Sequence, residues 1–405
     1  MTGPERVVVT GRGVVSSIGT GIGEFTEGLR SGRCAVGPVT AFDTTGFDHA
    51  NACEVTDFVP ERWITGPAGL GRASQFAVAA ARMAVADAGL TDADLRERRG
   101  HIGVGTTNGE GPDLDRLSAQ SVEGGLAAMD PALAGRVGAD RLAAAVAGEF
   151  GLWDVETAVF TTACAAGNYA IGAGFDAIRA GDADFALAGG TDAVCRQSFA
   201  SFYRLGIIAP DRCRPFDADR AGILNGEGSG MLLLESLTSA RARGARVFAE
   251  VLGYGMNCDA EHPTQPDSAG VEACIELALR DAGVRTGDVD LISAHGTGTK
   301  SNDVTEAQAI RAVYGGRPPR TVGWKSMLGH TMGAAAALSA VACTVVLTEG
   351  FIPPTVNHRR TDPECAIDCV PNRSVPADVR VVQNNSFAFN GNNMIVVLAR
   401  PEERP

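Results

Sequence analysis

The chain has 405 residues, of which 45% are hydrophobic and 20% are charged, so it can bury a large core. Its formal net charge of −13 argues against a nucleic-acid ligand, which requires a basic surface. Ten cysteines are dispersed along the chain, and no secretory leader is evident at the N-terminus. These two features predict a reduced, cytoplasmic setting.

A pattern in the first half of the chain returns in the second half. Asp87-Ala88-Gly89 ends a helix-like stretch, and a glycine-rich strand that runs to Thr107 follows it. Asp281-Ala282-Gly283 is followed by a glycine- and threonine-rich segment that runs to Thr299. Because the copies lie about half a chain length apart, they predict a duplicated βαβ-rich unit.

Cys164 stands where a strand-like run at residues 159–162 gives way to small residues and then to a helix-like stretch at 169–181. A free cysteine is most often a buried, small hydrophobic residue. At the first turn of a helix, however, the macrodipole and unpaired N–H groups favour the thiolate and lower the thiol pKa. Cys164 is therefore a candidate nucleophile with a lowered pKa.

A basic, alanine-rich segment at residues 240–246 leads into a new strand-like run at 247–251. We place the boundary between the two halves here. Residues 1–250 form an N-terminal half that carries Cys164, and residues 251–405 form a C-terminal half that carries two candidate histidines. We expect both halves to share one compact body.

The two histidines are His295, within the glycine- and threonine-rich segment 293–299, and His330, within segment 325–333. Only six histidines occur in the chain, so two in similar loops suggest one shared site. Lys325 follows the apolar segment 322–324, which predicts that it is buried and needs a carboxylate partner.

Two further patterns lack a functional signal. The most apolar segment, residues 333–347, is short for a membrane span and predicts a buried helix. Cys365 and Cys369 form the one close cysteine pair, and without a second pair they do not predict a zinc site.

Five ordered motifs carry a resemblance over nearly the whole chain: residues 7–16, the Cys164 segment, residues 214–222, 226–230 and 385–393. The chain thereby resembles the elongating β-ketoacyl-acyl-carrier-protein synthases of the thiolase superfamily. The resemblance implies an α/β fold, namely the pseudo-duplicated, five-layer αβαβα thiolase fold with two mixed sheets. It implies no cofactor and no metal.

The resemblance also implies roles for these residues. Cys164 would carry an acyl group, and the backbone N–H groups of Cys164 and Phe389 would form an oxyanion hole. His295 and His330 would donate hydrogen bonds to the enolate that decarboxylation of malonyl-carrier protein produces.

Lys325 and Glu306 would form a buried pair that holds the histidine loops in position. A gate would comprise Phe387, Ala388, Phe389, Asn390 and Gly391, with Ala388 and Asn390 at two positions where the family usually has glycine.

The implied partners are an acyl carrier protein that delivers acyl and malonyl groups, and a second ketosynthase-like chain in a homodimer or heterodimer. Nucleic acid and membrane are not expected partners. Because carrier proteins are typically acidic, docking on this acidic chain requires a local basic patch. The loose candidates are Arg62, Arg72, Arg204, Arg212 and Lys300.

Rival functions make different demands on these residues. A degradative thiolase would carry a second cysteine in the C-terminal motif, which segment 387–391 lacks, and an initiating synthase would pair the cysteine with one histidine and an asparagine, whereas segment 325–333 favours two histidines. A noncatalytic chain-length-factor-like subunit would lose Cys164, and a cysteine-dependent acyl hydrolase would keep it. Fatty-acid elongation and type II polyketide synthesis, including synthesis of polyene chains, require the same site residues.

Overall fold

The computed structural model describes residues 5–401, and its strands and helices follow each other in mixed order. The strands are β1 (Val7–Ser16), β2 (Gly19–Thr20), β3 (Gly37–Pro38), β4 (Asn51–Cys53), β5 (Gly100–Gly105), β6 (Val155–Phe160), β7 (Phe185–Asp192), β8 (Asn225–Gly226), β9 (Gly228–Ser236), β10 (Ala249–Cys258), β11 (Leu291–Ser293), β12 (Arg320–Val322), β13 (Phe351–Ile352), β14 (Val375–Pro376), β15 (Val381–Phe387) and β16 (Asn392–Ala399). The helices are α1 (Ile22–Ser31), α2 (Arg72–Asp87), α3 (Asp92–Arg96), α4 (Gly111–Gly124), α5 (Pro131–Ala134), α6 (Arg141–Phe150), α7 (Ala166–Ala180), α8 (Arg196–Arg204), α9 (Leu237–Ala242), α10 (Ser268–Asp281), α11 (Lys300–Tyr314), α12 (Lys325–Leu328) and α13 (Ala335–Glu349).

The main sheet repeats one strand order. Its hydrogen-bonded order is β12-β11-β15-β16-β10-β1-β9-β7-β5-β6, with β2 paired to β1. The order β12-β11-β15-β16-β10 in the second half corresponds strand by strand to β6-β5-β7-β9-β1 in the first half. In each half the first two of these pairs are parallel and the next two are antiparallel. The two predicted mixed sheets are joined at their edges, because β1 pairs with β10 over Val7–Val9.

Local details repeat as well. A register shift follows Val9 in β1 and another follows Val251 in β10. A Cβ atom on Gly11 would lie 2.0 Å from a carbonyl oxygen of α2, and one on Gly253 would lie 2.5 Å from Asp281 at the end of α10. Both strands therefore use glycine to let a helix approach the sheet. The division of the chain at residue 250, which falls within β10, stays a prediction.

Helices fill three layers around the two halves of the sheet. Helices α7 and α13 contact strands of both halves and each other, so they form the middle layer. Helices α2 and α6 pack on the first half, and α10 and α11 pack with the second half. The predicted thiolase-type layering is thus confirmed.

The apolar segment predicted to be a buried helix lies in the middle layer as α13 and the turn before it. The stretch Met332–Glu349 is long and apolar enough to cross a membrane, but 83% of its most apolar window is buried inside the fold. Within residues 5–401, which contain all ten cysteines, no disulfide is formed.

Candidate active site

Cys164 lies in a single 3₁₀ turn, Ala163–Ala165, between β6 and α7. Ala163, directly before it, has a φ of 49°, which is an uncommon conformation for alanine. Helix α7 begins at Ala166, three residues earlier than the helix-like pattern indicated. This sharp strand-to-helix turn places the side chain of Cys164, which is 7% exposed, at the end of the cavity described below.

His295 and His330 converge on Cys164 from the second half of the chain. The sulfur of Cys164 and one ring nitrogen of each histidine all lie within 4.8 Å of one another. The two imidazole centroids are 5.7 Å apart, with the rings nearly perpendicular. The structure therefore brings Cys164 and the two histidines together, as the sequence predicts.

Each histidine accepts a hydrogen bond at Nδ1. The N–H of Met332 donates to Nδ1 of His330 at 3.1 Å, and Lys325 Nζ lies 3.4 Å from Nδ1 of His295. With Nδ1 as acceptor, a neutral imidazole carries its proton on Nε2. Burial and the charge of Lys325 lower the pKa of both histidines well below the usual value, so both are neutral N–H donors.

This tautomer also bears on metal binding. Within residues 5–401, Cys164, His295 and His330 form the one group of histidine, cysteine and acidic side chains close enough to hold a metal ion. A metal-bound histidine donates from its other ring nitrogen, whereas here that nitrogen is an acceptor. The trio therefore fits donors to an anion better than ligands of a cation.

The environment of the thiol corrects one expectation. The sequence predicts a lowered thiol pKa, but burial raises the pKa of Cys164 to about 11. The charge of Lys325 and the backbone N–H groups of Cys164 and Phe389 oppose this effect without outweighing it. The two N–H groups assigned to the oxyanion hole thus both lie close to the sulfur.

This raised pKa predicts how alkylation of Cys164 depends on pH. The reactive thiolate fraction rises about tenfold per pH unit below the thiol pKa. Iodoacetamide should therefore label Cys164 about tenfold faster per unit from pH 7 to pH 10, as followed by peptide mass spectrometry. A rate that reaches a plateau near pH 8 would contradict the raised pKa, and the exposed Cys258 provides a reference thiol in the same digest.

Lys325 and Glu306 are both buried, as predicted, but they do not form an ion pair. Lys325 Nζ contacts the carbonyl oxygen and Nδ1 of His295. Glu306 instead accepts hydrogen bonds from the N–H groups of His295 and Gly296, both at 2.8 Å, and from Asn385 Nδ2 at 3.0 Å. The predicted direct ion pair between Lys325 and Glu306 is therefore wrong, because each of the two side chains forms its hydrogen bonds with the His295 loop instead.

The five gate residues line or border the same cavity. Phe387 ends β15, and its ring lies 5.9 Å from that of His295. Phe389 begins a short turn, and its ring centroid is 5.9 Å from that of Phe202 on α8. Asn390 and Gly391 both have positive φ, at 63° and 73°, as expected for a turn that needs left-handed residues.

A cavity of about 440 Å³ leads from Cys164 to the surface. Its wall includes Thr297, Thr299 and Phe202, none of which was a sequence candidate. The alternation of threonine and glycine after His295 was the available signal for the two threonines. Phe202 had no signal, because it belongs to an ordinary amphipathic helix.

The five candidate docking cations differ in their surroundings. Arg72 is bound to buried Glu227 at 2.6 Å, and Arg212 donates to Asn357. Lys300 is exposed and lines the cavity, and exposed Arg204 precedes the lining residue Leu205. Arg62 is exposed in a separate 3₁₀ turn.

Comparison with known proteins identifies the family. The model of the β-ketoacyl synthase N-terminal domain matches residues 4–240, and that of the C-terminal domain matches residues 248–359. The 3-oxoacyl-[acyl-carrier-protein] synthase 2 of Synechocystis is 36% identical over 98% of this chain and 98% of that protein. The chain therefore belongs to the β-ketoacyl synthase family of thiolase-fold condensing acyltransferases.

Two solved structures are similar over almost the full length. The ishigamide ketosynthase/chain length factor is 59% identical, covers 98% of this chain and 100% of its own, and has a TM-score of 0.97. The AntDE:AntF complex, a type II polyketide acyl-carrier protein with its ketosynthase bound to the hexaketide, is 31% identical with the same coverage and a TM-score of 0.91.

Proposed function

We propose that this chain is a catalytic ketosynthase that transfers an acyl group from an acyl carrier protein to Cys164 and condenses it with malonyl-carrier protein in type II polyketide synthesis. This proposal is carried by the arrangement of Cys164 with two histidines, which each place one ring nitrogen within 4.8 Å of the sulfur and present Nε2–H as a donor. The similarity to a ketosynthase/chain length factor and to a type II polyketide ketosynthase supports this pathway over ordinary fatty-acid elongation.

In the first step, the sulfur of Cys164 attacks the acyl-carrier thioester. The new C–S bond forms first, and the carbonyl oxygen takes up negative charge as the carbon becomes tetrahedral. The bond to the carrier sulfur then breaks, and the thiol proton of Cys164 ends on the carrier thiol. The N–H groups of Cys164 and Phe389, both close to the sulfur, would stabilise that oxyanion.

In the second step, malonyl-carrier protein loses carbon dioxide, and the electron pair of the broken C–C bond forms an enolate. His295 and His330 would donate Nε2–H bonds to the enolate oxygen, and neither must release a proton to do so. The enolate carbon then attacks the acyl-Cys164 carbonyl and expels the cysteine sulfur as a thiolate, which takes a proton from solvent to restore the thiol. The product is a 3-oxoacyl group on the carrier protein.

The rival functions make different demands on the same residues. A chain-length-factor-like subunit needs no nucleophile, yet this chain keeps Cys164 within a complete set of donors. An acyl hydrolase needs a base that takes the proton of water or thiol, whereas both imidazoles present N–H groups to the site. Intact mass spectrometry after incubation with acyl-carrier proteins of several chain lengths tests the proposal. A stable acyl adduct on Cys164 supports it, and the absence of any adduct contradicts it.

We expect the chain to work as a dimer, either with itself or with a chain-length-factor-like partner. Strand β6, which leads into the Cys164 turn, is the end strand of the sheet and pairs on one side with β5. Trp153, just before it, is 79% exposed. Light scattering should give twice the chain mass, alone or with the partner, and a well-folded, active monomer would reject this prediction.

We propose that Phe389 gates the acyl pocket. Phe389→Ala should weaken discrimination between malonyl and longer acyl-carrier substrates, because the ring that contacts Phe202 at the cavity wall is removed. Loading rates on Cys164 for two chain lengths measure this effect. Phe202→Ala is the matched control for lost ring contact without a change in the turn. An unchanged rate ratio in Phe389→Ala would make Phe389 a packing residue.

Docking of the acidic carrier near the cavity mouth is proposed to involve Arg204 and Lys300, the exposed candidates that lie there. The cytoplasmic location stays a prediction.

A further inference from the structure

Asp192, at the end of β7, is a buried carboxylate that neither the sequence motifs nor the proposed mechanism uses. It accepts four hydrogen bonds. Thr106 Oγ1 and the N–H of Asn108 donate to Oδ1, both at 2.9 Å. The N–H groups of Thr107 and Gly333 donate to Oδ2, at 2.8 Å and 2.6 Å. Within residues 5–401, no arginine, lysine or histidine forms an ion pair with this carboxylate.

The bond to Gly333 links Asp192 to the turn that follows His330. That turn, Met332–Ala334, precedes α13, and Met332 has a φ of 50°. The N–H of Met332 is the group that donates to Nδ1 of His330. A chain of two hydrogen bonds, each made by a neighbouring backbone N–H, thus connects the Asp192 carboxylate with the His330 imidazole.

The surroundings leave this turn little freedom. A Cβ atom on Gly333 would lie 2.4 Å from Cα of Thr106, and one on Gly190 would lie 2.5 Å from the carbonyl oxygen of Gly333. Burial raises the pKa of Asp192 to about 7, while the four donors act in the opposite direction. A buried carboxylate without a cation is costly, so four backbone and hydroxyl donors in one place indicate a specific positional task.

We propose that Asp192 is a positioning residue for His330: it holds the turn at Gly333, so that the Met332 N–H fixes the His330 tautomer that presents Nε2–H to the enolate. The inference rests on the proposed function, because it assigns Asp192 to the decarboxylation half-reaction. Acyl loading of Cys164 does not use His330 as a donor, and the charge of Asp192 raises the pKa of the Cys164 thiol, so removal of that charge should not slow loading.

Asp192→Asn tests this assignment. Asparagine has one oxygen in place of two and carries no negative charge, so it cannot accept all four hydrogen bonds, and its hold on the N–H of Gly333 is weaker. Malonyl-carrier decarboxylation should fall about 10²-fold, the usual effect of a misplaced donor. Acyl loading of Cys164, followed by intact mass spectrometry, should stay within about tenfold. In ¹⁵N-histidine NMR spectra, the His330 resonances should lose the Nε2–H pattern that we expect for the wild type.

Two further variants make the result specific. Thr106→Val removes the hydroxyl that donates to Oδ1 of Asp192 without adding volume, so it should give the same selective loss on a smaller scale, which also serves if Asp192→Asn does not fold. Glu227→Gln removes a different buried carboxylate that accepts the N–H groups of Val55 and Val194. It should lower the melting temperature without a selective loss of decarboxylation.

Equal losses of loading and decarboxylation in Asp192→Asn, with the His330 tautomer unchanged, would overturn the assignment. A wild-type protein that neither loads acyl groups nor decarboxylates malonyl-carrier protein would instead contradict the proposed function itself.

Discussion

A Cys164→Ser variant should lose condensation while it continues to decarboxylate malonyl-carrier protein. Serine retains the shape of the side chain but replaces the thiol by a much weaker nucleophile, so acyl transfer should fall by about four orders of magnitude or more. The enolate donors His295 and His330 are untouched by the change. Release of carbon dioxide from malonyl-carrier protein and formation of the 3-oxoacyl product, measured in parallel, separate the two activities.

Cys343→Ser is a suitable control, since Cys343 is a buried cysteine on α13 rather than on the Cys164 turn. It should retain condensation unless the fold is lost, which circular dichroism would reveal. If the Cys164→Ser protein condensed at the wild-type rate, Cys164 would not be the nucleophile.

The complementary result is expected for His330→Ala. Removal of one preorganised donor to a developing anion typically costs about 10²- to 10³-fold in rate, so decarboxylation should fall by that factor. Loading of Cys164 should remain within about tenfold, because its oxyanion is assigned to the N–H groups of Cys164 and Phe389. His295→Ala should show the same division between the two half-reactions.

His358→Ala provides the matched control, since His358 lies beside Asp217 and Cys369 and does not line the cavity. A His330→Ala protein that decarboxylates normally but fails to load would assign His330 to thiol activation instead. Such a result would favour the hydrolase-type mechanism, which the Nε2–H tautomer assigned from the Met332 hydrogen bond opposes.

The residues found from sequence were those that lie in unusual local patterns. Cys164 lies between a strand-like and a helix-like segment, and the two histidines lie among glycine and threonine. Such local patterns can be recognised without knowing which segments contact each other in the fold. Burial of Lys325 was also predictable from the apolar residues before it. Its partner was not, because a buried ammonium group can be satisfied by a carbonyl oxygen and an imidazole as well as by a carboxylate.

Two other aspects depend on tertiary structure. The pKa of Cys164 is the difference between burial and local donors, and only the fold reveals that burial is nearly complete. Asp192 lies in the sequence Gly-Gly-Thr-Asp after an apolar strand, which by itself is an ordinary strand end. Its importance arises from Gly333, a residue far away in the chain.

The repeated register of the two halves relates Asp192 to the gate. Directly before the shared register shifts, Val9 pairs with Leu234 and Val251 pairs with Leu398. Gly228 lies six residues before Leu234 and is paired with Asp192. Asn392 lies six residues before Leu398, and its carbonyl oxygen accepts the N–H of Ala388. Asp192 and Ala388 therefore hold corresponding places in the two halves.

The turns that face these two places correspond as well. Ala163 and Met332 have φ values of 49° and 50°, and Cys164 and Gly333 follow them, each ahead of a helix of 15 residues. At one of these places the carboxyl group of Asp192 is a fixed acceptor for the N–H of Gly333. In the other half the corresponding residue is Ala388, which has no side-chain oxygen. The N–H of Cys164 therefore stays available for a transient oxyanion of the substrate. Of two corresponding N–H groups, the one at Gly333 holds a structural carboxyl group, and the one at Cys164 is free to act in the reaction.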